Sequence, residues 1–151
     1  ANAVVETSNL NVHQLKEIIS ERYGGGQRLV VNLMSFGFKY GLPSEADMVL
    51  DVRFLPNPFF VENLKRLPGT DGVVKNFVLE AAETEPFLVH AMSLITYVLP
   101  GYEREGKSYA TIAIGCTGGR HRYVAVAEEI GRRLADARGD VAIRHRDLDK
   151  S

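Results

Sequence analysis

The stretch of the chain best equipped for chemistry is residues 112–122, which read IAIGCTGGRHR. An apolar strand runs into a glycine-bearing turn, and a helix is predicted to follow over residues 123–137. Such a helix start leaves unpaired backbone N–H groups, with the positive end of the helix dipole behind them. Gly118 and Gly119 allow the backbone to approach a ligand closely. Arg120, His121 and Arg122 add donors that match phosphate oxygens, so the pattern predicts an anion-binding turn suited to phosphate.

The same stretch admits two other interpretations. One is an ordinary strand-to-helix turn whose glycines only relieve strain. The other is catalytic, because Cys116 and Arg122 have the Cys-x5-Arg spacing of protein tyrosine phosphatases. In those enzymes a thiolate attacks phosphorus while the arginine holds the oxygens. Here Gly115 stands in place of their usual histidine, Tyr123 replaces their hydroxyl residue, and no acidic proton donor is assigned. We therefore favour a non-catalytic domain in which Cys116 is a small buried residue.

Apolar segments that alternate with helical patterns must position this turn. Strands are predicted at residues 28–35, 48–51, 109–115 and 141–145, and helices at 61–66, 71–80, 85–99 and 123–137. Pro100 is expected to kink or interrupt the long helix. The order predicts an α/β fold with a mostly parallel or mixed sheet of about four strands flanked by helices, after an N-terminal helical lead segment.

Asp51 ends one of these predicted strands, and Arg53 follows two residues later. In a parallel sheet, ligands bind beyond the carboxyl ends of the strands, where this pair and the turn after Cys116 both fall. Residues two apart on a strand point to the same face. Two interpretations stay open, namely direct contact with a ligand and a salt bridge that supports the wall of the site.

The first 26 residues are predicted to be a lead segment before a main domain of residues 27–151. Val4 and Val5 fit a short strand or an extended lead-in, and Asn11 with Gln14 has the spacing of a helix-capping box. Gly24-Gly25-Gly26 supplies a flexible joint, so the boundary is placed there. The chain does not begin with Met, and it reads as a piece of something longer.

Composition restricts the classes of partner. A formal net charge of −1 over 151 residues argues against a general electrostatic grip on nucleic acid, so RNA contact would need a local patch. The basic residues near the end are interleaved with nearly as many acidic ones. A single cysteine excludes an intrachain disulfide and fits a reducing cytoplasm. No apolar run has transmembrane length, and neither metal-ligand spacing nor a P-loop occurs, so no membrane contact, metal or cofactor is expected.

Three separated motifs resemble the C-terminal domain of the RapZ/YvcJ family. They are SFGFKYG at residues 35–41, DVRFLPNP at 51–58 and AIGCTGGRHR at 113–122. Arg144-His145-Arg146 fits the family as well, and the resemblance spans nearly the whole chain with the motifs in the right order. Phe59 and Tyr123 stand where the family usually carries histidine and serine.

The resemblance implies a function and its residues. In the family this domain follows a P-loop nucleotide-binding domain, senses glucosamine-6-phosphate and binds RNA and protein partners. It belongs to an adaptor that presents a small regulatory RNA to an endoribonuclease. By resemblance, Thr117 joins Gly118, Gly119, His121 and Arg122 in facing the phosphate. RNA contacts would fall on Arg144, His145, Arg146 and Lys150.

We therefore expect a non-catalytic, cytoplasmic sensor or adaptor domain for a phosphorylated metabolite. Residues 116–122 would hold the phosphate, with Arg120 among the donors, and Asp51 or Arg53 would form the wall. The family forms oligomers, so a homo-oligomer is implied by the resemblance alone, and the residues themselves indicate no oligomeric state. The alternative is an RNA- or protein-binding module that uses the same loop, and the third hypothesis is the cysteine phosphatase.

Overall fold

A computed structural model describes residues 4–6, 29–56, 72–117 and 122–147, with residues 4–6 and 122–123 described by their backbone. In chain order the elements are β1 (Val4–Glu6), β2 (Val30–Gly37), β3 (Met48–Asp51), α1 (Gly72–Leu79), α2 (Thr84–Arg104), β4 (Tyr109–Cys116), α3 (Arg122–Arg138) and β5 (Val141–His145). A single 3-10 turn, Phe38–Tyr40, follows β2.

The five strands form one sheet in the order β1-β5-β2-β4-β3, and each neighbouring pair is parallel. Gly37 at the end of β2 lies opposite Cys116 at the end of β4, and Ser35 lies opposite His145 at the end of β5. Asp51, which ends β3, lies opposite Gly115. These strand ends therefore share one edge of the sheet, called the carboxyl edge below. The predicted α/β fold is confirmed. Val4–Glu6 adds a short outer strand, and β3 is the outer strand on the other side of the sheet.

Continuous apolar runs in β2 and β4 reflect burial on both faces, as is usual in parallel sheets. Leu33, Ile112 and Ile143 belong to a hydrophobic cluster to which all three described helices contribute buried residues. α3 packs closely against Leu33 on β2 and Ile143 on β5 because Gly131 has no side chain. A Cβ atom there would come within 2.5 Å of Ile143 Cδ1 and 3.3 Å of Leu33 Cδ1.

The long helix α2 runs through Pro100 to Arg104, so the proline does not interrupt the helix, and the predicted kink stays a prediction. Proline removes one backbone donor, which would have paired with the carbonyl of Thr96. Both Pro100 and Thr96 lie on the exposed side, where water can satisfy that carbonyl. Leu99 is buried just before the proline, and Tyr102 packs against the core just after it. Packing therefore holds the helix on both sides of the missing hydrogen bond.

The remaining helices agree with prediction wherever they are described. The helix predicted at 71–80 is observed as Gly72–Leu79, and the one predicted at 123–137 as Arg122–Arg138. The helical patterns at 12–23 and 61–66, with the glycine joint at 24–26, lie outside the described residues. Among the helices that the structure describes, none is long and apolar enough to span a membrane.

Candidate ligand site at the carboxyl edge

Backbone hydrogen bonds tie together the segments that leave the carboxyl edge. The N–H of Lys39 donates to the carbonyl of Thr117 at 2.8 Å, which joins the segment after β2 to the segment after β4. The N–H of Val52 donates to Gly115 at 2.9 Å, and the N–H of Arg146 donates to Ser35 at 3.0 Å. The ends of β2, β3, β4 and β5 are thus held beside one another at the carboxyl edge, and a shared ligand site there stays a prediction.

Asp51 and Arg53 form an ion pair at this edge. The Arg53 side chain donates from Nε to Oδ1 at 3.0 Å and from Nη2 to Oδ2 at 2.7 Å, and its backbone N–H donates to Oδ1 at 2.9 Å. The side-chain hydrogen bonds that Arg53 donates to Asp51 raise the pKa of Arg53. Nearly half of each side chain is exposed, at 46% for Asp51 and 47% for Arg53. The predicted salt bridge is therefore present, and direct contact of the pair with a ligand stays a prediction.

The guanidinium of Arg53 also lies over the ring of Phe38, with its Cζ atom 4.0 Å from the ring centroid. The ring of Phe38 packs edge-on against Phe36 at 4.8 Å between centroids. A guanidinium that is both stacked and bidentate is held in one orientation. The rings of Phe38 and Phe36 therefore support the ion pair at the carboxyl edge, and Phe36 belongs to β2.

The last residues of β4 differ from those of a phosphatase loop. Cys116 is 1% exposed and belongs to the hydrophobic cluster, which fits its predicted role as a small buried residue. A Cβ atom at Gly115 would come within 2.7 Å of Cε1 of Phe36. The histidine that such enzymes usually carry before the cysteine therefore has no space here.

The predicted phosphate-binding turn is described at its two ends. β4 ends at Cys116, Thr117 is exposed, and α3 begins at Arg122, so the predicted strand and the predicted helix flank this segment. Gly118, Gly119, Arg120 and His121 lie outside the described residues, and so does the side chain of Arg122. The two family differences, Phe59 and the side chain of Tyr123, lie outside them as well. The roles assigned to these residues stay predictions.

Arg146 makes its polar contacts within the domain. Its Nε and Nη2 atoms donate to the carboxylate of Asp147 at 3.0 and 2.8 Å, and Nη2 also donates to the carbonyl of Gly41 at 2.6 Å. Asp147 is fully buried and accepts the N–H of Gly37 at 2.9 Å. Arg146 and Asp147 thus fasten the residues that follow β5 to both ends of the 3-10 turn after β2.

His145 is buried in the sheet, and its ring belongs to a row of polar side chains that the sequence did not predict. Nδ1 lies 2.7 Å from Oγ of Ser35, and Nε2 lies 3.2 Å from Oε2 of Glu128. Oε1 of Glu128 accepts a hydrogen bond from Nζ of Lys75 at 2.8 Å. We call Ser35, His145, Glu128 and Lys75 the polar chain.

The other two residues predicted to contact RNA are placed differently. Arg144 is half-buried, and its Nε has no hydrogen-bond partner within the described part of the chain. Lys150 lies beyond the described residues. The structure therefore gathers Asp51, Arg53 and Thr117 at the carboxyl edge, and it buries His145 in the domain.

Two further findings concern other places where a metal ion or a ligand could bind. In the ranges that the structure describes, no group of three or more His, Cys, Asp and Glu residues could hold a metal ion. A surface groove lined by Tyr97, Pro100 and Arg104 lies along the last turns of α2, which lead into the start of β4. That groove is at the amino edge of the sheet, away from the predicted turn.

A parallel sheet covered by helices, with the charged pair of Asp51 and Arg53 at its carboxyl edge, defines a domain of the α/β class. A family model described as the RapZ C-terminal domain matches residues 29–149, and the chain belongs to this family.

Curated relatives carry the name nucleotide-binding protein. One from Geobacter metallireducens is 54% identical over 99% of this chain and 54% of its own length. One from Anaeromyxobacter dehalogenans is 52% identical over 99% of this chain and 52% of its own length. One from Geobacter sulfurreducens is 50% identical over 99% of this chain and 54% of its own length. The chain thus spans about half the length of the curated relatives it matches, and their names attribute nucleotide binding to those whole proteins.

Proposed function

We propose that this domain binds a small phosphorylated metabolite, of the aminosugar phosphate class to which glucosamine-6-phosphate belongs, at the carboxyl edge. It would act as a non-catalytic sensor or adaptor in RNA-linked regulation. One observation carries the proposal: β4 ends at Cys116 and α3 begins at Arg122, beside the exposed pair of Asp51 and Arg53. A helix that starts just after a parallel strand offers free N–H groups and a positive dipole end to a phosphate.

The two ends of an aminosugar phosphate call for opposite charges. In this proposal the phosphate is held by residues 117–122, from Thr117 through Gly118, Gly119, Arg120 and His121 to Arg122. The carboxylate of Asp51 receives the ammonium group of the sugar. Arg53 holds that carboxylate in place, and Phe38 holds Arg53, so the acidic contact is preorganised before the ligand arrives.

The RNA- or protein-binding module is the second candidate, and it rests on the family. Arg146 and His145 make their polar contacts inside the domain. RNA phosphates would therefore meet Arg144, Lys150 and the turn at residues 117–122. A partner such as an endoribonuclease or a regulatory protein is part of the same proposal.

Calorimetric and thermal-shift titrations test the primary proposal. The ligands are glucosamine-6-phosphate, glucosamine, glucose-6-phosphate and inorganic phosphate. We expect saturable binding of glucosamine-6-phosphate, weakened by Arg122→Ala by about 2 kcal/mol or more, the scale of a lost charge-assisted contact. The control is Arg132→Ala on the same helix, whose exposed side chain pairs with Glu129 and Asp136. It should leave binding unchanged.

The alternatives give different outcomes. Binding to none of the four ligands contradicts the primary proposal. RNA binding that falls steeply with salt concentration would then favour the nucleic-acid module, because phosphate contacts release counterions. Hydrolysis of an aryl phosphate that disappears in Cys116→Ser would instead favour the phosphatase.

A further inference from the structure

The outer side of α2 carries no Asp, Glu, Lys or Arg over residues 86–102, although it faces solvent. A solvated helix face normally carries charged side chains. The exposed residues of this stretch are instead uncharged at neutral pH: Pro86, Val89, His90, Ser93, Leu94, Thr96, Tyr97 and Pro100. Among them, Tyr97 is 82% exposed and Val89 is 51% exposed. Exposed apolar groups without charges are typical of the central part of a protein–protein interface.

Exposed residues of α2, with the residue that caps it, follow the alternating spacing of three and four that forms a seam between paired helices. They are Glu83, Pro86, His90, Ser93, Tyr97, Pro100 and Arg104. Because an α-helix turns by about 100° per residue, this spacing keeps them on one side of the helix. We call these residues the α2 seam. The α2 seam is about 30 Å long, so it is suited to a second helix lying along it.

The α2 seam ends in opposite charges. Glu83 is the N-cap residue and Arg104 is the last residue of α2, and both are exposed. Within the described ranges neither of them forms a salt bridge. Two copies of the helix that lie antiparallel about a two-fold axis bring Glu83 of each copy to Arg104 of the other. The same arrangement sets opposite ends of the two helix dipoles side by side. The charges therefore favour a second copy of this chain as the partner.

The other charged groups at the two ends of α2 are compatible with this arrangement. Glu85 is paired with Arg133 at 2.7 Å, and Glu103 is paired with Arg138 at 3.3 Å. Both of these acids are thus already neutralised within one copy. Glu105, the C-cap residue, lies about 100° round the helix from the end of the α2 seam.

The pairing of the charged ends also fixes which residues meet at the centre. With Glu83 opposite Arg104 of the other copy, the two-fold axis passes between Ser93 and Leu94. Ser93 is small, and the distance between two packed helices depends on the side chains at their contact. The centre of the α2 seam therefore lets the two helices approach closely.

The groove along the last turns of α2 gives the partner helix a place to lie. It is lined by Tyr97, Pro100 and Gly101, among others. In the register that the charges set, the first turn of the other copy's α2 lies along this groove, with Pro86 of that copy opposite Gly101. Glycine leaves space for the proline ring at this position.

We propose that the outer side of α2 is a dimer interface, at which two copies of this chain pair their α2 helices antiparallel about a two-fold axis. A contact about 30 Å long and about 10 Å wide is smaller than the roughly 800 Å² that each partner buries in a standard interface. The dimer is therefore weak and dissociates on dilution. No residue of the α2 seam is assigned to the ligand, so this inference is independent of the proposed function.

Sedimentation velocity of the 151-residue chain tests the interface, over a wide range of concentrations up to about 0.5 mM. We expect the chain to pass from monomer to dimer as its concentration rises. Tyr97→Asp should raise the dissociation constant at least about tenfold, because it buries an unpaired charge in the interface. The control is Leu42→Asp, which changes a side chain that is 63% exposed outside the α2 seam. It should leave the dissociation constant unchanged.

A charge swap tests the antiparallel orientation. Glu83→Arg and Arg104→Glu, each made alone, put like charges together at both ends of the dimer and should weaken it about fivefold. The double variant restores opposite charges, so its dissociation constant should return to that of the wild type. A parallel pair would bring each of these residues to its own copy, and the double variant would then rescue nothing.

Cross-linking tests the centre of the interface. Ser93→Cys places a thiol beside the two-fold axis, and mild oxidation should join two copies through it. The native Cys116 is 1% exposed, so it does not compete. Ser108→Cys is the control, because Ser108 is exposed in the segment between α2 and β4, outside the α2 seam. That variant should give few cross-linked dimers under the same conditions.

Several results would overturn the inference. A chain that stays monomeric up to about 0.5 mM has no self-interface of this kind, and the uncharged face of α2 then belongs to a different partner. A dimer that Tyr97→Asp leaves intact uses another surface. A double charge variant as weak as the single ones rules out the antiparallel pairing.

Discussion

The ring of Phe36 occupies the space that a side chain at Gly115 would need. The two residues are partners on the adjacent strands β2 and β4. A Cβ atom at position 115 would lie 2.7 Å from Cε1 and 2.9 Å from Cε2 of that ring. Phe36 is fully buried and its ring also packs against Phe38, so it has no free volume to move into. Glycine at position 115 is therefore a packing requirement one residue before Cys116.

Gly115→Ala should lower the free energy of unfolding by about 2 kcal/mol or more, because the added methyl group overpacks a rigid ring. Chemical denaturation measures the change. The matched control is Gly101→Ala in α2, where a Cβ atom would meet only Arg104 Nη2 at 3.7 Å. That control should be neutral or stabilising by up to about 1 kcal/mol, given the helix propensity of alanine. Equal losses in the two variants would contradict the packing argument.

Asp147→Asn should cost about 2–4 kcal/mol of unfolding free energy. The substitution leaves the guanidinium of Arg146, whose side chain is 16% exposed, without its charged partner. It also replaces the carboxylate that accepts the N–H of Gly37. Thermal and urea denaturation report the loss.

The control for Asp147 is Asp136→Asn on α3. Its carboxylate pairs with Arg132 at 3.3 Å, and its side chain is 66% exposed. An exposed pair of this kind contributes little, so the change should stay within about 0.5 kcal/mol. If both asparagine variants were equally mild, Arg146 and Asp147 would not hold the end of the chain as described.

Acid should destabilise the domain through Glu128. Its pKa falls from the usual 4.5 to about 2 on folding, so its stabilising contribution is fully present above pH 4.5 and is lost as the pH falls towards 2. After allowance for partial solvent screening, the contribution is about 1–2 kcal/mol. Urea denaturation between pH 5 and pH 3 should show a smaller acid loss in Glu128→Gln than in the wild type.

A suitable comparison for Glu128 is Glu85→Gln, which removes a carboxylate that is 60% exposed in its ion pair with Arg133. That variant should follow the acid dependence of the wild type closely. An acid loss that is identical in Glu128→Gln and the wild type would show that the polar chain does not stabilise the folded state.

Asp51→Asn should reduce the discrimination between the two sugar phosphates more than it reduces the affinity of the domain for phosphate. The carboxylate is the predicted contact for a sugar ammonium group, so the preference for glucosamine-6-phosphate over glucose-6-phosphate should fall by about tenfold, or about 1.4 kcal/mol. Paired calorimetric titrations measure this ratio, and Asp136→Asn again supplies an acidic residue away from the edge. An unchanged ratio would assign Asp51 to supporting Arg53 alone.

The sheet could be predicted from the sequence because its strands are continuous apolar runs. Leu33, Ile112 and Ile143 sit in segments that are too short for helices and are separated by helical periodicity, which favours parallel pairing. The strand that ends at Cys116 and the helix that begins at Arg122 were also predicted, because apolar periodicity indicates both. The path of α2 through Pro100 was missed because packing on both sides of the proline overrides its local preference.

The polar chain could not be predicted for a different reason. Ser35 and His145 are 110 residues apart, and they meet only because β5 lies beside β2 in the sheet. The local sequence of neither strand indicates that the two strands are neighbours in the sheet. The one available signal was a polar residue inside each apolar strand, which indicates a buried partner without naming it. Arg146 was predicted to contact RNA and its partner Asp147 was not singled out, because interleaved opposite charges near the end of the chain usually face solvent.

The place of β5 in the sheet has a consequence for how the chain is made. β5 is the last described strand in sequence, and yet it lies between β1 and β2. On the ribosome, β2, β3 and β4 can pair as soon as β4 has emerged, whereas β1 must wait until β5 is synthesised and inserts beside it. Contacts between such distant parts of a chain slow folding. β1 is therefore expected to stay undocked until β5 has been made, and to join the sheet last.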